Sequence, residues 1–281
     1  VPFTTFVAAR SLHEHGDMPW VTIDCRHALA DFSLGRQLYD AAHIPGAYFA
    51  DVENDLSGAK TGKNGRHPLP DPDRFAAFLR SLGVNDDTQI VAYDAGGDMF
   101  AARVWFLCQW IGHEAVAVLD GGIAAWIAAG YETTAERTPP ALFPGKLHVH
   151  LRDELVVEAD FVESHLHDPE VRILDARAAD RFAGENETVD PVAGHIPGAH
   201  NRWFKDNYRE NLLVRSPDEL RVAFAGYGDP ASIVHQCGSG VSAAANMLAM
   251  EYAGLSGSRV YAGSWSEWIA DPSRPLATGP A

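Results

Sequence analysis

The sequence predicts an α/β fold in two similar halves, each a mainly parallel sheet covered by helices. Three observations carry this. First, four motifs recur in one order. Ile23-Asp24-Cys25-Arg26 is answered by Leu174-Asp175-Ala176-Arg177, and His43-Ile44-Pro45-Gly46-Ala47 by His195-Ile196-Pro197-Gly198-Ala199. Ile90-Val91-Ala92-Tyr93 is answered by Ile233-Val234-His235-Gln236, and Asp120-Gly121-Gly122 up to Trp126 by Ala262-Gly263-Ser264 up to Trp268. Members of a pair stand roughly 140–150 residues apart, the signature of a duplicated domain rather than a short-period solenoid. Second, short β-branched runs alternate with helical stretches. Third, 281 residues is about twice a typical single domain.

In chain order, Val21-Thr22-Ile23 reads as a strand, 74–82 as a helix, Ile90-Val91-Ala92-Tyr93 as a strand, and Trp105-Phe106-Leu107-Cys108-Gln109-Trp110 as helix interior. Pro139, Pro140, Pro144 and Gly145 resist regular structure and mark a joint. The expected organisation is therefore a domain over residues 1–131, a linker over 132–150 and a second domain over 151–281. In the second domain Ile233-Val234-His235 reads as a strand and 241–253 as an Ala-rich helix.

Composition narrows the function. The hydrophobic fraction of 46% and the aromatic fraction of 10% describe a globular protein with real cores. Twenty-two basic against 38 acidic residues give a net charge of −16, which opposes nucleic-acid binding, where affinity rests on neutralising phosphates. An anionic ligand would need its own cluster of arginines. No apolar run approaches the roughly 18 residues of a membrane span, and Val1-Pro2-Phe3-Thr4-Thr5 lacks the pattern of a signal peptide, so a cytoplasmic location is expected. Cys25, Cys108 and Cys237 are too few and too scattered for a disulfide framework or a Cys-x-x-Cys metal site.

Cys237 has the suggestive position. Ile233-Val234-His235-Gln236-Cys237-Gly238-Ser239-Gly240-Val241-Ser242 runs from a buried strand through a two-glycine turn into a helix. In open α/β sheets chemistry collects where strands end and helices begin. Gly238 and Gly240 allow backbone conformations other residues avoid, so amide N–H groups converge on one point. A helix N-terminus there favours an anion such as a thiolate or a persulfide. Cys25 and Cys108 fit the blander role of small buried hydrophobes. A cysteine phosphatase would need an arginine after five intervening residues; that position is Ala243. Gly238-x-Gly240 lacks the third glycine and the later acid of a dinucleotide-binding loop.

Taken together, the tandem His-Ile-Pro-Gly-Ala motifs, the paired Asp-x-Arg strand ends, the Cys237 loop and Gly263-Ser264-Trp265-Ser266-Glu267-Trp268 resemble the two-domain rhodanese sulfurtransferases over almost the whole chain. The resemblance implies two rhodanese-like domains, the N-terminal one catalytically silent, and Asp94 in Tyr93-Asp94-Ala95-Gly96-Gly97 stands near where its cysteine would be. Mercaptopyruvate-specific members carry loops similar to Cys-Gly-Ser-Gly-Val-Thr, thiosulfate-specific ones basic residues after the cysteine. Here Ser242 replaces the Thr, which favours 3-mercaptopyruvate over thiosulfate. The implied reaction is double displacement: the Cys237 thiolate takes sulfur, pyruvate leaves, and a thiol acceptor, such as thioredoxin or a low-molecular-weight thiol, or cyanide removes the outer sulfur. No metal or organic cofactor is implied. The alternatives are a thiosulfate:cyanide sulfurtransferase, and a persulfide carrier or regulatory binding protein without small-molecule turnover.

The same resemblance assigns the supporting residues. Ser239 is the expected proton donor to the leaving enolate, with His67 and Glu53 as the possible relay behind it, although the family usually has Asp for the acid and the run 58–65 is long there. Arg181 is the expected carboxylate-binding arginine, with Gly238, Gly240, Val241 and Ser242 lining the substrate site. Mercaptopyruvate-type members have a second substrate arginine shortly before the Gly-His-Ile-Pro-Gly run; this sequence offers Thr188-Val189-Asp190-Pro191. Arg177, like Arg26, is expected to make a structural ion pair. His43 and His195 are expected to be structural, because both halves have them, and Trp265 and Trp268 are expected in the core.

Overall fold

The computed structural model describes residues 1–15 and 19–280. The chain forms two compact units. The first comprises Val1–Ser57, Pro70–Arg152 and Tyr208–Val214; the second comprises Gly58–Leu69, Asp153–Asn207 and Arg215–Ala281. Each therefore takes a short segment from the other half of the sequence.

In the first unit the elements are β1 (Phe6–Val7), α1 (Ala9–His13), β2 (Trp20–Asp24), α2 (Leu34–Ala41), β3 (Tyr48–Phe49), α3 (Pro72–Ser81), β4 (Gln89–Tyr93), α4 (Phe100–Trp110), β5 (Val116–Leu119) and α5 (Gly122–Ala128). The second has β6 (Val156–Val157), α6 (Ala159–Ser164), β7 (Arg172–Asp175), α7 (Ala179–Ala183), β8 (His200–Asn201), α8 (Pro217–Phe224), β9 (Ile233–Gln236), α9 (Val241–Tyr252), β10 (Arg259–Tyr261) and α10 (Ser264–Trp268). The sheets are five-stranded, ordered β1-β5-β4-β2-β3 and β6-β10-β9-β7-β8, and every strand pair in both is parallel. This is the predicted α/β class, with one strand order written twice.

The sequence explains the elements locally. The central strands β4 and β9 are buried throughout, as apolar strands covered on both faces must be. Asp71 caps α3 by accepting from the Arg74 N–H, with Pro72 in the first turn. Ser216 and Glu219 close a capping box on α8. In α9 the residues from Val241 to Met250 are all buried, so its alanines permit close packing on every side rather than forming one apolar stripe.

The repeated motifs fasten the scaffold. Arg26 pairs with Asp24 (Nη2–Oδ2, 2.6 Å) and Arg177 with Asp175 (2.7 Å), all four nearly or fully buried. The same guanidinium groups donate onward to the carbonyls of Ala42 and Gly194. His43 and His195 stack on Tyr39 and Phe182 and contact those residues' carbonyls through Nδ1 (2.7 and 2.8 Å). Trp265 and Trp268 lie in the apolar core of the second unit with Ile173, Val234 and Tyr261.

Candidate active site

Cys237 follows the last residue of β9, the central strand of the second unit, and precedes α9. Its thiol is almost fully buried, 2% exposed. The Sγ atom accepts from the N–H groups of Gly240 (3.1 Å) and Ser239 (3.4 Å). Its own N–H donates to Ser264 Oγ (3.1 Å), which donates in turn to the Tyr261 carbonyl (2.9 Å). The first turn of α10 also holds the cradle: the Trp265 and Ser266 N–H groups donate to the carbonyls of Cys237 and Gly238. Two backbone N–H groups aimed at one sulfur suit a negatively charged sulfur, since each charge-assisted bond is stronger than its neutral counterpart.

The two glycines of the loop differ, against the expectation that both need unusual backbone. Gly240 has φ of +78°, and a Cβ there would stand 2.1 Å from the Ala262 carbonyl oxygen. Gly238 is not in the left-handed region. What it permits is close approach: a Cβ at Gly238 would lie 2.9 Å from Arg66 Nη2 and 3.5 Å from Arg181 Nη2.

Ser239, 5% exposed, lies with its Oγ 2.8 Å from Nδ1 of the buried His67. His67 reaches it because Gly58–Leu69 belongs to the second unit. That segment is a closed loop: Gly58 N–H donates to the Pro68 carbonyl, and Asn64 bonds to Thr61 and Ala59. It is pinned where Arg66 N–H donates to Ser266 Oγ (3.0 Å) and where Gly65, at φ +82°, passes close to the Gly263 carbonyl. Glu53 belongs to the first unit, in the turn after β3, where its N–H donates to Asp51 Oδ1 (2.8 Å). Val241 and Ser242 form the buried first turn of α9.

Arg181, in α7, has Nε and Nη2 on Glu187 (2.9–3.2 Å) and Nη2 also on Asp190 Oδ2 (3.1 Å). Arg66 forms an ion pair with Asp190 Oδ1. Arg66, Glu187, Asp190 and Ser264 are the members of the site that sequence reasoning did not single out. The adjacency of Arg66 to His67 was the available signal; Asp190 and Ser264 offered none beyond adjacency to known motifs.

The other cysteines are in different surroundings. Cys25 is fully buried, donates to the Tyr93 carbonyl (3.0 Å), and has its thiol pushed well up by burial and then by the charges of Asp94 and Asp24. Burial in α4 likewise raises the Cys108 thiol. In the first unit the place of Cys237 is taken by Asp94: Ile123 N–H donates to its carbonyl as Trp265 N–H donates to that of Cys237. Its carboxylate oxygens accept from Gly96 and Ala101 (3.0 Å each). Burial, then Asp98, pushes Asp94 up to about 7. Leu212 packs against Gly96 and Gly97 there, within 3.4 Å of where their Cβ atoms would stand. Among the described residues no cluster of His, Cys, Asp and Glu is arranged to hold a metal ion, and no helix is long and apolar enough to cross a membrane.

Comparison with known proteins agrees with this geometry. A family model described as a rhodanese-like domain matches residues 8–129 and again 158–271. A probable 3-mercaptopyruvate sulfurtransferase of Pseudomonas aeruginosa is 46% identical over 264 residues, 92% of each chain. A putative thiosulfate sulfurtransferase of Mycobacterium tuberculosis is 35% identical, covering 94% of this chain and 92% of its own. The crystal structure of SseA from Escherichia coli, a 3-mercaptopyruvate sulfotransferase by description, superposes with a TM-score of 0.80 at 36% identity, over 94% of this chain and 99% of its own. With a rhodanese domain matched in each half and such relatives across nearly its full length, this chain belongs to the rhodanese family of sulfurtransferases.

Proposed function

We propose that the protein transfers sulfur from 3-mercaptopyruvate to a thiol or cyanide through a persulfide on Cys237. The observation that carries this reading is the pair of N–H groups, from Ser239 and Gly240, converging on Cys237 Sγ. The relatives named for 3-mercaptopyruvate support the choice of donor.

In the first step the Cys237 thiolate attacks the donor's sulfur. An S–S bond forms, the donor's C–S bond breaks, and its electron pair passes into the enolate of pyruvate. A proton completes pyruvate; Ser239 Oγ, backed by His67 Nδ1 at 2.8 Å, is the proposed source. In the second step a thiolate or cyanide attacks the outer sulfur and returns the Cys237 thiolate. Dividing the transfer in two gives each step a good nucleophile. The persulfide keeps negative charge beside the same two N–H donors, and Arg181 supplies cationic charge for the donor's carboxylate.

Exposure to 3-mercaptopyruvate is expected to add the mass of one sulfur atom at Cys237 and to release one pyruvate, both lost in Cys237→Ser. An unchanged intact mass refutes the proposal. Specificity constants for 3-mercaptopyruvate and thiosulfate, with cyanide as common acceptor, test the donor; a preference for thiosulfate overturns it. Pyruvate accumulating over many turnovers without a protein donor separates an enzyme from a persulfide carrier.

A further inference from the structure

We infer that Ser266 is a positioning residue for proton delivery: its hydroxyl and its N–H fasten the chain neighbours of His67 and Ser239 and so set the distance between that pair. The inference rests on the proposed function and deepens it, by naming what holds His67 against the site.

His67 and Ser239 stand far apart in the sequence, yet Nδ1 of one lies 2.8 Å from Oγ of the other. A contact of that length needs both chains held, because a hydrogen bond weakens steeply with misalignment. Ser266 grips each chain one residue before the pair. Its N–H donates to the carbonyl of Gly238, which precedes Ser239 (2.9 Å). Its Oγ accepts from the N–H of Arg66, which precedes His67 (3.0 Å). The hydroxyl proton is directed to the Gly263 carbonyl (3.3 Å), which leaves the oxygen free to accept from Arg66. Gly65 makes the approach possible: a Cβ there would lie 2.8 Å from the Gly263 carbonyl oxygen and 3.0 Å from Ser266 Oγ. The bonds within Gly58–Leu69 keep the shape of that loop, and Ser266 fixes where the shape sits on α10.

The duplicated half is a control. Aligning Trp126 with Trp268 sets Ala124 opposite Ser266, so the unit with Asp94 in place of Cys237 has no hydroxyl there. The turn carrying this position is kept in both units, with Ile123 N–H on the Asp94 carbonyl and Trp265 N–H on that of Cys237. The turn therefore belongs to the scaffold, while the hydroxyl accompanies the reactive cysteine.

The first half-reaction alone is the test, because only the enolate of pyruvate needs the proton. In a single turnover without acceptor, Ser266→Ala is expected to slow pyruvate release about tenfold at saturating 3-mercaptopyruvate, with the half-saturating concentration changed less than about threefold. Discharge of the preformed persulfide by cyanide and alkylation of Cys237 by iodoacetamide, which need no such proton, stay within about twofold of wild type. Ser266→Thr, which keeps the hydroxyl, restores release to within about threefold. In a Ser239→Ala background the Ser266→Ala change slows release less than about twofold, since the pair it served is gone. Hydrogen exchange at the Arg66 amide, about tenfold faster in Ser266→Ala, reads the tether without reference to turnover. Unaltered release, an equal fall in release, discharge and alkylation, or full additivity with Ser239→Ala overturns the inference. If exchange quickens but the wild type neither gains sulfur nor releases pyruvate, the tether stands and the proposed donor fails.

Discussion

Gly240 holds φ at +78° with its N–H 3.1 Å from Cys237 Sγ, while Gly238, two residues earlier, has an ordinary backbone and guanidinium groups over its face. Substitution by alanine separates the two requirements. Gly240→Ala forces a Cβ into the Ala262 carbonyl and a left-handed φ on an L-residue, a loss of roughly 2–4 kcal/mol with displacement of an N–H donor from sulfur. Gly238→Ala meets only the far ends of flexible side chains. Its stability is expected within about 1 kcal/mol of wild type, with KM for 3-mercaptopyruvate rising about fivefold as the cations are pushed aside. Denaturant unfolding with steady-state kinetics reads both variants. Equal destabilisation by the two alanines would contradict the assignment. The pair also shows a limit of sequence reading: Gly-x-Gly announces a special loop, but which glycine serves backbone and which serves approach depends on the position of Arg66, far away in the sequence.

Among the elements, β4 and β9 are the same strand written twice, and their differences are informative. Tyr93 in β4 donates its hydroxyl to Asp24 (2.8 Å) and accepts from Ile44 N–H (3.1 Å); its counterpart Gln236 has no side-chain partner among the described residues, nor has the neighbouring His235. Burial, reinforced by Arg202, drops His235 to about 3. Because the unfolded chain protonates this histidine near 6.5 and the folded one only near 3, His235 carries no protonation penalty above 6.5 and destabilises the fold progressively as pH falls from there toward 3. His235→Leu, which removes two unsatisfied buried nitrogens at similar volume, is expected to add about 1 kcal/mol at neutral pH. It also moves the midpoint of acid unfolding to lower pH; an unmoved midpoint would show that protonation elsewhere governs. The strands, the Ala-rich helix and the joined motifs were legible because repetition and periodicity are local. The placement of Gly58–Leu69 in the second unit was not, because nothing in Gly65-Arg66-His67-Pro68 states which sheet it will accompany. His67 could be named only through family resemblance, and Arg66 beside it was passed over although an anionic ligand was expected to need arginines.

On the scale of the whole molecule, duplication supplies an internal control and charge supplies a constraint. The first unit keeps the strand order, the Asp-x-Arg fastening and the histidine turn, yet presents Asp94 where the second presents Cys237, and packs Leu212 against the glycines that follow. Scaffold and chemistry are thus separable, and the shared motifs belong to the scaffold. The chain carries a net charge of −16, and the site does not reverse it locally: Arg66, Arg177 and Arg181 are matched by Asp175, Glu187 and Asp190. An anionic donor therefore approaches against a repulsive long-range field, and under the role proposed for Arg181 its attraction acts only at close range. Screening shortens the repulsion from about 30 Å at 0.01 M salt to about 10 Å at 0.1 M, whereas a hydrogen-bonded contact with a guanidinium is shorter than either length. Over that range kcat/KM for 3-mercaptopyruvate is expected to rise about two- to threefold, while the iodoacetamide rate at Cys237, which involves a neutral reagent, stays level. A fall in kcat/KM with salt would mean that the guanidinium pair outweighs the acidic surface at long range and that its charge is less neutralised by Asp190 and Glu187 than the geometry implies.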